Sequence, residues 1–154
     1  MTLTPLPRSF YLRPTLVVAQ SLIGKLFVRS FRGRKFVGRI VEVEAYLGAL
    51  DEASHAHRGI TLRNEVMFRE GGHLYVYFTY GMHYCANVVT EQEGTGHAVL
   101  LRAVEPVMGV EEMRRNRNLS RDKDDREIAS GPAKLCQAFR IARSENGTDL
   151  TGKL

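Results

Sequence analysis

RIVEVEAYLG, from Arg39 to Gly48, alternates as a strand does. Val41, Val43 and Ala45 interleave with Glu42, Glu44 and Tyr46, and alternate residues of a strand share a face. The expected strand carries small apolar side chains on one side and two carboxylates and a phenol on the other. At about 3.3 Å of rise per residue, Glu42 and Glu44 stand roughly 6.6 Å apart, within the range of paired catalytic carboxylates. Such a face is either a solvated exterior or a place for chemistry. Tyr46 favours chemistry, because an aromatic beside an acid offers a surface on which a flat ligand can stack.

The neighbouring sequence builds a sheet around this strand. LFVRSF and KFVGRIVEVEAY alternate on either side of Arg32-Gly33-Arg34, which predicts a hairpin. HLYVYFTYGMHYCANVV predicts a second hairpin turning near Gly81, and HAVLLRAVEP a buried strand halted at Pro106. Upstream, Pro14 suits the first turn of a helix over TLVVAQSLIGK, with Gly24 as its stop. Downstream, GVEEMRRNR and SGPAKLCQAFRIA read as helices, the second capped by Ser130 or Gly131 with Pro132 in its first turn. Leu47 to Asn64 has neither period and reads as a long functional loop. Strands in the middle and helices at both ends predict an α+β domain with an antiparallel or mixed sheet.

The chain of 154 residues is long enough for one domain with its own core. Its 22 Lys and Arg against 17 Asp and Glu give a formal charge of +5, which fits a polyanionic partner without requiring one. Two distant cysteines, Cys85 and Cys136, indicate neither a disulfide framework nor a Cys-based zinc site. No stretch reaches the length of a membrane span and no signal-peptide core precedes the domain, so a cytoplasmic protein is expected.

Three further groups of side chains could carry function. Tyr75, Tyr77, Tyr80 and Tyr84 crowd the second hairpin. Packing explains most tyrosines in strands, but Tyr80 precedes Gly81 at the tip, where a bulky ring is exposed unless it inserts somewhere. Insertion between base pairs is one use of such a wedge. Among the histidines, 55 and 57 lie close together without further ligands at zinc spacing, so no metal site is expected. Late in the chain, Arg117 and Lys134 belong to a basic run that could meet phosphates or simply solvent.

Taken in order, RIVEVEAYLG, DEASHAHRG, RN, MF, LYVYFTYGMHYCANVV and VLLRAVEP closely resemble the alkyladenine (3-methyladenine, or methylpurine) DNA glycosylase family, from about Ser9 to the C-terminus. The resemblance implies a single domain over residues 1–154 with a curved sheet, flanking helices and a protruding hairpin, in the bacterial style that lacks a long N-terminal extension. It implies that the chain is incomplete at its C-terminus, since family members continue past KLCQAF. Glu44 matches the general base that activates water, and Arg102 a basic residue beside that water. Tyr46, His55 and Tyr77 match the walls that stack an extruded base, and Asn87 a position at the pocket edge. Tyr80 matches the side chain that fills the gap in the duplex, with Met82 beside it. No cofactor is implied. The implied partner is double-stranded DNA containing damaged purines, met as a monomer in the cytoplasm or at the nucleoid. The implied reaction is hydrolytic release of alkylated or deaminated purines such as 3-methyladenine, 7-methylguanine, hypoxanthine or ethenoadenine, without strand cleavage. Two rival readings stand beside it: a metal-dependent phosphodiesterase using Glu42, Glu44 and the histidines, and a non-catalytic DNA-binding module.

Overall fold

The computed structural model describes residues 3–152; the domain limits expected at 1 and 154 lie outside them. Arg8–Tyr11 (α1) and Thr15–Leu22 (α2) lead into Leu26–Phe31 (β1), Arg34–Leu47 (β2), Leu74–Thr79 (β3), His83–Thr90 (β4) and His97–Met108 (β5), followed by Val110–Asn116 (α3) and Pro132–Ala138 (α4). The strands form one sheet in the order β1-β2-β5-β4-β3, and every neighbouring pair is antiparallel. The expected α+β class holds, with no parallel pair among the described residues.

Both hairpins turn where glycine allows it. Arg32 and Gly33 take φ of 49° and 73°, Tyr80 and Gly81 take 52° and 67°, and two successive left-handed residues make the turn that matches strand twist. The helix over Pro132–Ala138 starts as expected, with Gly131 outside and Pro132 in the first turn. It stops early because Arg140 turns left-handed at φ 54°, while Arg140 N donates to Gln137 O and Ile141 N to Cys136 O.

Several expectations need correction. Pro14 sits just outside α2 as its cap, because its ψ of 137° is extended. Pro106 does not halt β5, which runs to Met108. The register slips between Val37 and Gly38, opposite Pro106, and a proline is tolerated at such an irregularity. Val41 does not share a face with Val43 and Ala45 and is exposed. The β2–β5 register is the same at Ile40 opposite Val104 and at Val43 opposite Leu101, yet between them Glu42 lies opposite Ala103. Val41 and Arg102 are left without partners, and Ile40 and Val43 face the same core three residues apart instead of two. Such an irregularity re-aims side chains locally.

The sheet has two differently covered faces. On one, α2, α3 and α4 bury Val18, Phe36, Leu101, Met113, Leu135 and Phe139. Each such side chain contributes about 1.5–3 kcal/mol through burial. On the other, the segment after β2 folds back, and Ala56, Val66 and Met67 pack on Tyr75, Val89 and Ala98. The chain after α4 closes the β3 edge: Leu74 N donates to Thr148 O, and Val76 N to the Asn146 side chain.

Candidate active site

Strand register gathers the site on the second face. Tyr75 lies opposite Asn87, Asn87 opposite Leu100 and Leu100 opposite Glu44, so one row crosses four strands. Tyr46 lies in the adjoining row, opposite Ala98. Arg102, freed from pairing by the irregularity, reaches both acids of β2. Its Nε donates to Glu42 Oε1 at 2.9 Å and its Nη1 to Glu44 Oε2 at 2.7 Å. Tyr46 donates its hydroxyl proton to the other Glu44 oxygen at 2.7 Å. Glu44 is thus held by a cation on one oxygen and a neutral donor on the other, while 43% of its side chain remains open to solvent. The phenol keeps its proton: burial, then the hydrogen bond to Glu44, pushes its pKa up to about 12. The hydrogen bond to Glu42, with both carboxylate charges, holds the Arg102 guanidinium above its ordinary pKa.

An aromatic wall stands beside this network. The His55 ring meets Tyr77 edge-on at 4.3 Å between centroids, and its Nδ1 lies 3.1 Å from the Tyr75 hydroxyl. Burial, helped by the Arg63 charge, lowers the His55 pKa below the ordinary histidine value. Burial also raises the pKa of Tyr75 to about 12 and that of Tyr77 further, so both phenols stay protonated. Asn87 is buried and donates from Nδ2 to Tyr75 O at 3.3 Å. It therefore bonds the backbone of the adjacent strand while keeping its place in the row that ends at Glu44.

The hairpin tip lies beyond this wall. Tyr80 is 89% exposed and Met82 is also well exposed. A tyrosine held at positive φ with its ring in solvent contributes little to the fold. Arg117 is engaged elsewhere: its Nε donates to Ile128 O at 3.0 Å and its Nη1 bonds the Gln137 side chain. Burial lowers its pKa somewhat. Lys134 lies half-buried in the first turn of α4.

Asn64 and Arg63 were not anticipated in the site, and Tyr75 was noticed only as one of the hairpin tyrosines, without a role. Tyr75 orients His55, and its alternation with Tyr77 was the signal that could have placed both rings on one face. Asn64 is buried; its Nδ2 donates to His55 O and Gly59 O while its Oδ1 accepts from Thr61 N. Arg63 donates to Phe78 O at 2.8 Å, joining the loop to the root of the hairpin. Loop asparagines commonly bond nearby backbone, but no periodicity announces which one will.

Among the described residues, no three His, Cys, Asp or Glu side chains gather as metal ligands. Nor is any helix there long and apolar enough to cross a membrane. Glu42 and Glu44 already face a cation in Arg102, and His57 is turned away to Ala49 O.

The chain is similar to named proteins. A family model for methylpurine-DNA glycosylase matches residues 9–154. A protein of Carboxydothermus hydrogenoformans is 53% identical over 147 residues, covering 96% of this chain and 75% of that protein. One of Chlorobaculum tepidum is 51% identical, covering 94% and 68%, and one of Methanocella arvoryzae 52%, covering 94% and 72%. All three are named, provisionally, as 3-methyladenine DNA glycosylases. With its acidic strand, aromatic wall and exposed hairpin covered by that match, the chain belongs to the methylpurine-DNA glycosylase family and is a DNA glycosylase.

Proposed function

We propose that this enzyme extrudes a damaged purine from duplex DNA and releases it by direct attack of water, acting in the cytoplasm alongside the chromosome. The observation that carries the mechanism is the double clasp on Glu44. A carboxylate offers about four acceptor positions; Arg102 and Tyr46 occupy two, and the remaining ones suit a water. Glu44 takes a proton from that water as its oxygen bonds C1′ of the sugar. The electrons of the N-glycosidic bond leave with the purine through an oxocarbenium-like state. Glu42 balances the charge of Arg102, which leaves Glu44 free to receive the proton.

The wall suits a cationic base. Tyr46, Tyr77 and a neutral His55 offer π faces to a flat lesion, and an alkylated purine carries a positive charge that such faces attract. With the Tyr75 hydroxyl donating to Nδ1, His55 presents Nε2–H as a donor toward the pocket. A cationic purine such as 3-methyladenine or 7-methylguanine leaves without further help, whereas neutral hypoxanthine or ethenoadenine needs protonation first. Tyr80, with Met82 beside it, fills the space that the nucleotide vacates. Lys134 would steady the flanking backbone, and Arg117 would join it only by giving up its bond to the Gln137 side chain. Asn87 guards the pocket edge against the 2-amino group of guanine.

The test is incubation with a duplex carrying one hypoxanthine or one alkylated purine, in EDTA, followed by alkali. Breaks at the lesion that appear only after alkali are expected. Breaks before alkali, or loss of activity in EDTA, would point to a lyase or a metal-dependent phosphodiesterase. Tight binding without base release would leave a binding module.

A further inference from the structure

Phe31, at the end of β1, is ringed by three arginines. The guanidinium carbons of Arg29, Arg32 and Arg140 lie 5.1, 5.2 and 5.6 Å from its ring centroid. Arg29 is paired with Glu145 at 2.9 Å, and its buried Nε finds no acceptor among the described residues. Arg32 and Arg140 are exposed and make no ion pair or side-chain hydrogen bond there. Two positive charges therefore stand open to solvent beside one ring, available to an anion, with Glu145 the carboxylate of the cavity they border and already paired with Arg29.

Their backbone makes the same point. Arg32 and Arg140 are two of the five non-glycine residues at positive φ among the described residues, at 49° and 54°. Arg32 opens a two-residue hairpin turn, where asparagine before glycine is preferred. Arg140 is the left-handed residue after α4, where glycine is preferred. Each arginine therefore occupies a position at which a different residue would be more stable, and such outliers point toward function.

The cluster borders a cavity of about 530 Å³ that is also lined by Met82, His83 and Tyr84 of the hairpin. Phe78 and Tyr84 lie in register, one residue from the Tyr77–Cys85 pair. They therefore point to the opposite face of the hairpin. A hairpin inserted into a duplex has DNA on both sides of it.

We propose that Arg32 and Arg140, gathered with Arg29 around Phe31, form a second DNA contact that takes a backbone phosphate on the hairpin face opposite the base-binding wall. Guanidinium groups suit phosphate oxygens, and the exposed Arg32 and Arg140 are the ones that reach the phosphate, while Arg29 is held inside by Glu145. This rests on the reading of the hairpin as a wedge in duplex DNA.

The test compares wild type with a double variant, Arg32→Asn with Arg140→Asn. Asparagine tolerates positive φ at both positions, so the variant should unfold at the same temperature or higher. Affinity for a lesion duplex is measured across salt concentrations, with single-turnover base release at saturating enzyme in parallel. The slope of log affinity against log salt should fall by about one for each phosphate that the variant no longer neutralises, while base release at saturation stays unchanged. The Arg126→Asn variant, whose arginine pairs with Asp124, should keep the slope, and Arg32→Lys with Arg140→Lys should largely restore it. An unchanged slope in the double variant, with wild-type base release intact, removes the subsite and spares the glycosylase reading. An unchanged slope together with failure to bind a polyglutamate peptide that wild type binds would assign the cluster to an acidic protein and overturn the proposal. A wild-type chain that does not bind duplex overturns both.

Discussion

Glu44 and Glu42 are separated by one residue yet live in different company. Arg102 touches both, but Tyr46 donates only to Glu44. Glu44→Gln keeps the shape and cannot accept the proton of water, so base release should fall by roughly 10²–10⁴-fold in single-turnover assays while duplex binding persists. Glu42→Gln should cost far less; the reverse order would mean that the wrong carboxylate has been chosen. Asn87→Ser opens room beside Tyr75 and should raise release of guanine-type bases relative to hypoxanthine. An unchanged ratio in a folded variant would make Asn87 a structural residue only. His55 gives a pH dependence of known sign. Its pKa is lowered in the folded state, so the unfolded chain takes up its proton first as pH falls below about 6.5. Stability should therefore decline through the window between that value and the lower folded pKa. Release of a cationic purine should decline only lower, around the folded pKa, where the folded ring itself takes the proton and repels the lesion. The His55→Asn variant should lose this acid arm in both measurements; an arm that persists belongs to another group.

At the scale of elements, the hairpin and the irregular strand pair do the positioning. The turn at Tyr80-Gly81 needs left-handed backbone twice, and asparagine suits the first of those positions better than tyrosine. Tyr80→Asn separates shape from wedge: the turn should hold as well or better, yet affinity for the lesion duplex should drop. One stacked aromatic is worth about 1–3 kcal/mol, or roughly 5- to 150-fold. Single-stranded substrate should be affected less. A variant that loses stability but binds duplex normally would show Tyr80 to be a packing residue. The strand pair shows where the sequence stops being informative. Glu42, Glu44 and Tyr46 were legible as a polar face because alternation is a local property. The slip that exposes Val41 and frees Arg102 was not, because VEVEA alternates without a break and the irregularity depends on the partner strand. Proline at 106 misled for the same reason: only the slipped register opposite it shows that β5 can continue.

The whole molecule divides its labour between two sides of one sheet. Both hairpins could be read from turn residues between alternating runs, but not that β5 would lie between β2 and β4, since pairing so distant in sequence leaves no local trace. That insertion creates the row from Tyr75 to Glu44, and Asn64 and Arg63 then fix the loop against it through bonds that only the assembled fold defines. If stability rests mainly on the helix-covered face and chemistry on the other, the two should be separable by mutation. Leu135 is a fully buried residue of α4 itself. Leu135→Ala should destabilise by about 2–5 kcal/mol, lowering the melting temperature by roughly 4–20 °C for a domain of this size. Below the transition, its single-turnover base release should stay close to wild type, because no residue of the Glu44 network or the aromatic wall touches that face. Tyr75→Phe should do the opposite. It keeps the buried ring but removes the hydroxyl beside His55, so melting should change little while base release slows. Equal losses of rate in both variants would mean that the sheet transmits core packing into the site, and that its two faces do not work independently.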